Sequence, residues 1–158
     1  MKQNPNIPRV TFRVINPADN SSVNAAEWLK QPEEVRTTAE WISFETDRGE
    51  QFMMHKSKLP DADWSYQRGA VKRVHPDGRR GTRYEFLLVQ YARENFETNL
   101  DELLEAIGGD DLNDEFWTEE GFAGSASNAW IFNGNGYGTL YYNNNRYFAY
   151  YARVFRAF

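Results

Sequence analysis

The side chains able to do chemistry are few, and most lack the company that chemistry needs. His55 lies in an apolar, strand-like stretch and His75 in a Pro-Gly loop, without the H-x-x-x-H spacing that gathers a metal; both read as structural or simply exposed. Ser125 and Ser127 fall in "GFAGSASN", which lacks the G-x-S-x-G elbow that presents a nucleophile, so a turn is the better reading. The oxygen-rich run at 110–115 has neither the glycine nor the closing glutamate of an EF-hand loop, and reads as a solvated loop after a helix. "GNGYG" lacks the lysine and the strand–loop–helix setting of a phosphate loop, and Asp61 and Asp63 sit where turns are made. No catalytic residue, metal site or cofactor is expected.

One segment is different. Residues 128–151 hold six of the nine tyrosines and six asparagines. Strand propensity accounts for the aromatics but not for Asn, which is depleted in strands. Tyr offers a large rigid contact area at low entropy cost and Asn offers donors and acceptors together, the combination found in antibody paratopes. The segment reads as a ligand-binding surface. Along "NGNGYGTLYYN", strand alternation puts Asn133, Asn135, Tyr137, Thr139, Tyr141 and Asn143 on one face and turns Leu140 to the core. The following "NNRYFAYY" adds Asn145, Tyr147 and Tyr150 to that face. Trp117, Trp130, Leu140, Phe155 and Phe158 read as scaffold.

The elements that must position this surface are legible in outline. Strands are expected at 9–15, 41–46 and 51–56, the last two joined by the hairpin signal Asp47-Arg48-Gly49. Asn24 with Glu27 opens a short helix that Pro32 limits. "LPDADW" and "VHPDGRRG" read as loops. Thr82 with Glu85, and Asn99 with Glu102, are capping boxes that open helices at 83–93 and 100–107, the second stopped by Gly108. After that the helical signal ends, giving way to short strands with Gly and Asn turns. The outcome is an α+β chain: a β-rich start, two helices and a β-rich end.

At 158 residues with no linker-like composition break, one domain is expected. Cysteine is absent, which removes thiol chemistry and cysteine-based metal centres. The opening "MKQNPNIPRVTF" has no apolar core like that of a signal peptide, and no run of about 18 apolar residues exists, so no membrane insertion is expected. Residues 1–120 carry all 23 acids and 15 of the 18 bases, net −8, whereas residues 121–158 carry only Arg146, Arg153 and Arg156, net +3. That marks the tail as a distinct surface but is too small a charge for a polyanion, so no nucleic-acid partner is expected.

"GTRYEFLLVQYARENFETNLDELLEAIGGDDLNDEFWTEEG", "SASNAWIF" and "YNNNRYFAYYARVFRAF", in that order, resemble the variable proteins of diversity-generating retroelements. These belong to the C-type-lectin fold, on the branch shared with formylglycine-generating enzyme. The similarity covers roughly residues 39–158, leaving 1–38 as an N-terminal strand and helix segment attached to the same domain. The "FWT" turn is followed here by Glu119-Glu120, where Ser-Thr-Glu is usual in that family. The resemblance implies a C-type-lectin-like fold, with two helices packed against antiparallel sheets and the N- and C-terminal strands paired. It also implies a gene end rewritten at adenines, mostly in Asn codons, which cannot yield Glu, Lys, Gln, Met or Trp. Those types supply 32 of the 158 residues and none of residues 131–151.

The same resemblance implies a non-enzymatic protein displaying a diversifiable surface to a protein or glycan on a cell surface. It would be carried on a phage tail or at a cell surface, with a cytoplasmic location as the remaining option. The oxidation chemistry of the enzymatic branch depends on cysteine, which this chain lacks. The competing reading is a structural virion or homo-oligomeric protein that uses the same side chains for subunit contacts.

Overall fold

The computed structural model describes residues 8–95, 98–136 and 138–158, apart from the side chains of Asn95 and Asn143. Strands β1 (Val10–Ile15) and β2 (Ser22–Asn24) lead into the short helices α1 (Ala25–Trp28) and α2 (Glu33–Arg36). Next come β3 (Trp41–Thr46), the long β4 (Gln51–Ala62), α3 (Trp64–Val74) and the two-residue β5 (Arg79–Arg80). Helices α4 (Arg83–Asn95) and α5 (Leu100–Ala106) precede β6 (Glu115–Gly121), β7 (Asn128–Asn133), β8 (Thr139–Asn145) and β9 (Tyr150–Ala157). The chain is α+β, as its pattern requires, and its described residues hold five helices: α1, α4 and α5 fall where the capping signals place them, and α2 and α3 are additional.

The local signals work where they are complete. Thr82 Oγ1 accepts the Glu85 N–H at 3.1 Å while Glu85 Oε1 accepts the Thr82 N–H at 3.0 Å, a reciprocal cap on α4. Asn99 accepts from the Glu102 N–H at the start of α5, and Asn24 from the N–H groups of Ala26 and Glu27 at the start of α1. "LPDADW" is not a loop: β4 runs through Pro60 to Ala62, and Asp63 then caps α3 by accepting the Tyr66 N–H at 2.7 Å.

The strands form one open sheet in the order β2-β1-β3-β4-β9-β6-β7-β8, with β5 beside β9. All pairings are antiparallel except β6 with β9. The N- and C-terminal strands are therefore not paired. β9 pairs with the edge of β4 opposite β3, from Phe52 to Ala62, so two strands separate β9 from β1.

Strand alternation divides the core between the two faces. Phe12, Phe44, Phe52, Phe155, Phe116 and Phe132 point to the face covered by α1, α4 and α5, together with Trp28, Phe86, Val89, Leu103 and Leu104. The rings are in contact along much of the sheet: Phe44–Phe52 stack at 5.0 Å, Phe52–Phe155 at 5.7 Å, and Phe86 meets Phe155 at 5.0 Å and Phe132 at 4.7 Å. On the opposite face α3 covers two smaller clusters, Trp64 with Trp117, Ala129 and Ile131, and Val71 with Ala152 and Val154. Phe158, expected in the scaffold, is 58% exposed; it lies beyond β9 and has no layer to enter.

Candidate recognition surface

The tail is not one strand. Asn133 Oδ1 accepts the N–H and the side-chain amide of Asn135, at 2.9 and 3.0 Å, and reverses the chain. Gly136 and Gly138 take φ values of 67° and 70°, and a Cβ on Gly134 would collide with the Leu112 carbonyl. β7 and β8 are thus two arms of a hairpin with Asn133 opposite Thr139, Phe132 opposite Leu140 and Ile131 opposite Tyr141.

That geometry sorts the expected surface residues. Asn133, Thr139 and Tyr141 share a face with Ile131, which is buried against Trp64 and Trp117, so only the edge strand β8 brings that face to solvent. Thr139 is exposed and Tyr141 is 46% exposed, while Asn135 is exposed in the turn and Asn133 is spent on making it. Tyr137 and the side chain of Asn143 lie outside the described residues. Asn145 ends β8 and accepts the Tyr147 N–H at 2.9 Å, a turn-forming role that leaves Tyr147 85% exposed.

Tyr150 is half-buried and packs against the interior. Its ring stands edge-on to Trp117 at 4.8 Å, its hydroxyl donates to Asn144 Oδ1 at 3.1 Å, and its carbonyl accepts from the Gln67 amide. Burial, seconded by Glu115, holds its phenol above the usual range. Spacing alone could not show this, because Tyr150 opens the strand that α3 covers.

Sequence reasoning missed three participants. Tyr142 and Phe148 are 49% and 56% exposed. Tyr142 packs with Phe122 at 4.6 Å and Trp130 at 5.3 Å, and Arg83 stacks on half-buried Trp130 at 4.3 Å while pairing with Glu120. The third is Arg146, the only base within residues 128–151, and that singularity was the available signal. Its N–H donates to the Ser127 carbonyl, its carbonyl accepts from Trp64, and its Nε donates to the Asn128 carbonyl at 3.0 Å. Its guanidinium stacks on the Trp64 ring at 4.4 Å, as does that of Arg80, with Arg68 at 5.2 Å. Buried Arg80 pairs with Glu119 and donates to the Trp64 carbonyl; desolvation lowers its affinity for its proton, with Glu119 opposing. The connection from β8 back to β9 is anchored at its first residue, and the side chains beyond that anchor project outward.

The acidic loop is solvated at Asp111 and Asn113, as expected, but is held from beneath through its backbone. Arg153, fully buried, donates to the carbonyls of Lys56, Asp110 and Asp111 at 2.5, 2.6 and 2.8 Å. Lys58 holds Asp114 at 2.7 Å and its N–H donates to Asp110 Oδ2. The histidines both stand edge-on to Trp41, at 5.0 and 5.8 Å, far along the sheet from β8. Burial depresses the His55 pKa, against the pull of Glu40.

No family model, curated protein or solved structure matches this chain.

Proposed function

We propose that this chain is a non-enzymatic ligand-binding protein whose tail presents aromatic and amide side chains to a protein or glycan on a cell surface. The carrying observation is exposure. Of the ten large hydrophobic side chains exposed among the described residues, four (Tyr141, Tyr142, Tyr147 and Phe148) fall within residues 141–148. Tyr141 and Tyr142 stand on opposite faces of the edge strand β8, with Tyr147 and Phe148 in the connection after it, so exposed aromatic side chains concentrate at this edge of the sheet. A backbone already fixed by Arg146 and Asn145 reduces the ordering cost of binding. The order of β-rich start, helix pair and Tyr/Asn-rich end supports a C-type-lectin-like fold of the kind found in retroelement variable proteins, carried on a phage tail or a cell surface.

Arrays of cell-surface proteins and glycans probed with the parent and with a Tyr141→Ala/Tyr147→Ala variant test the reading. We expect ligands of the parent to lose at least about tenfold in affinity, with the melting temperature nearly unchanged. Loss of folding in the variant would make those tyrosines packing residues. A second reading, subunit contact, is favoured by the Phe122–Trp130–Tyr142 cluster beside the edge strand β8. Under that reading light scattering would show an oligomer that Tyr142→Ala dissociates.

A further inference from the structure

Beneath Tyr147 lies a shallow groove of about 440 Å³, lined by Asp63, Ser65, Ala126, Ser127, Arg146 and Tyr147. It draws on three parts of the chain: the start of α3, the β6–β7 connection and the β8–β9 connection. Its volume falls within the range of roughly 300–1,000 Å³ typical of small-molecule sites. Its lining is polar in a particular way. It holds one carboxylate, one guanidinium, two hydroxyls and one exposed aromatic ring, and Ala126 is its only aliphatic side chain.

The polar groups retain bonding capacity. Asp63 uses Oδ1 to cap α3, and its Oδ2 accepts from none of the described residues. Arg146 spends Nε on the Asn128 carbonyl and packs Nη2 against Gly121, while Nη1 donates to none of the described residues. Ser127 Oγ meets only Ser125 Oγ, at 3.2 Å, and Ser65 Oγ has no partner among the described residues. A planar carboxylate and a planar guanidinium in one groove match adjacent hydroxyls, which donate to the first and accept from the second. An aromatic face at the rim suits an apolar C–H surface. Asp63 and Arg146 cancel in formal charge, so the groove has no preference for an anion.

We infer that this groove is a subsite for a neutral saccharide, with Tyr147 as the stacking platform and Asp63 and Arg146 engaging neighbouring hydroxyls. The inference rests on the reading of the tail as a binding surface and names the ligand class for one part of it. Recognition needs no cation, because acceptor and donor are both supplied by side chains.

The test is NMR titration of the ¹⁵N-labelled full chain, in EDTA, with methyl α-mannoside, methyl β-galactoside, N-acetylglucosamine and, as the charged control, N-acetylneuraminic acid. We expect at least one neutral sugar to shift the amides of Ser65, Ser127 and Tyr147 with a Kd of about 1 mM, the strength of a small, shallow site. Tyr147→Ala and Asp63→Asn should each weaken that binding at least about fivefold. Neither change should unfold the protein, since Tyr147 is 85% exposed and Asn caps a helix as well as Asp does. Silence of all the neutral sugars at tenfold excess over that Kd, shifts confined to other amides, or a response to N-acetylneuraminic acid alone overturns the inference. If the sugars are silent while array ligands still depend on Tyr141 and Tyr147, the groove assignment falls and the binding surface stands. If array ligands ignore those tyrosines as well, both fall.

Discussion

The loop after α5 and the two turns around β8 are all built on side-chain turns, with Asp111 accepting the Asn113 N–H as Asn133 and Asn145 accept in theirs, yet only the first is clamped through its backbone from beneath. In the first, the carbonyls of Asp110 and Asp111 converge on Arg153, Asp114 closes on Lys58, and Leu112 is buried with its N–H on Asp101. In the second, Asn133 and Asn145 satisfy their own turns, and the aromatic side chains are left facing solvent. The difference is a buried cation. Burial pushes the Arg153 pKa down to about 10, with Asp110, Asp101, Asp111 and Asp114 opposing, so it stays charged at neutral pH and needs partners from every strand and loop around it. Arg146 lies partly at the surface, stacks on Trp64, and makes no comparable demand. A loop built on such turns is thus clamped or left exposed according to what lies underneath it.

The most severe way to break this contrast is Arg153→Met. The variant leaves the Lys56, Asp110 and Asp111 carbonyls without their donor, and we expect a loss of about 3–5 kcal/mol in denaturant unfolding. A loss below about 1 kcal/mol would mean that the loop holds itself.

A milder test compares two tryptophans of the β6–β7 hairpin. Trp117 is fully buried, and Trp117→Ala should cost about 3–5 kcal/mol. Trp130 is half-buried under Arg83, so Trp130→Ala should cost only about 1–2 kcal/mol. Equal losses would place Trp130 in the core and take the aromatic cluster with Tyr142 out of the display surface.

The smallest effect belongs to the exposed connection after β8. Phe148→Ser removes a ring that is 56% exposed while keeping the backbone N–H bond to the Asn145 carbonyl. Its unfolding free energy should match the parent's within about 0.5 kcal/mol. A larger loss would make the β8–β9 connection part of the folded core.

How far these distinctions are legible in the chain depends on how local they are. The caps of α1, α4 and α5 involve residues three positions apart, so the sequence carries them openly. α3 escapes a periodicity reading because its inward face is Trp64, Gln67 and Val71, and a buried glutamine breaks the apolar period. Gly69 and the Asp-rich approach weaken the signal further. The end of β4 is hidden by Pro60, which reads as a breaker although the strand there is irregular enough to take it. The pairing of β9 with β4 rather than with an N-terminal strand is a long-range choice that no local pattern encodes. In the tail, composition locates the exposed segment, but alternation fails at Asn133, where a side-chain turn replaces the expected straight strand. Tyr150 reads as outward-facing because the helix that buries it leaves so little trace in the sequence.

The position of β9 has a consequence for the order of assembly. It lies between β4 and β6, yet it is the last in chain order of the nine strands among the described residues. Two half-sheets must therefore wait, each with an open edge, for a shared seam. A shift of reading frame or a stop anywhere in residues 128–149 removes that seam, together with Arg153. Substitutions in the exposed turns leave the seam intact. The exposed side chains at 141, 147 and 148 thus lie outside the seam, while the chain after them forms it.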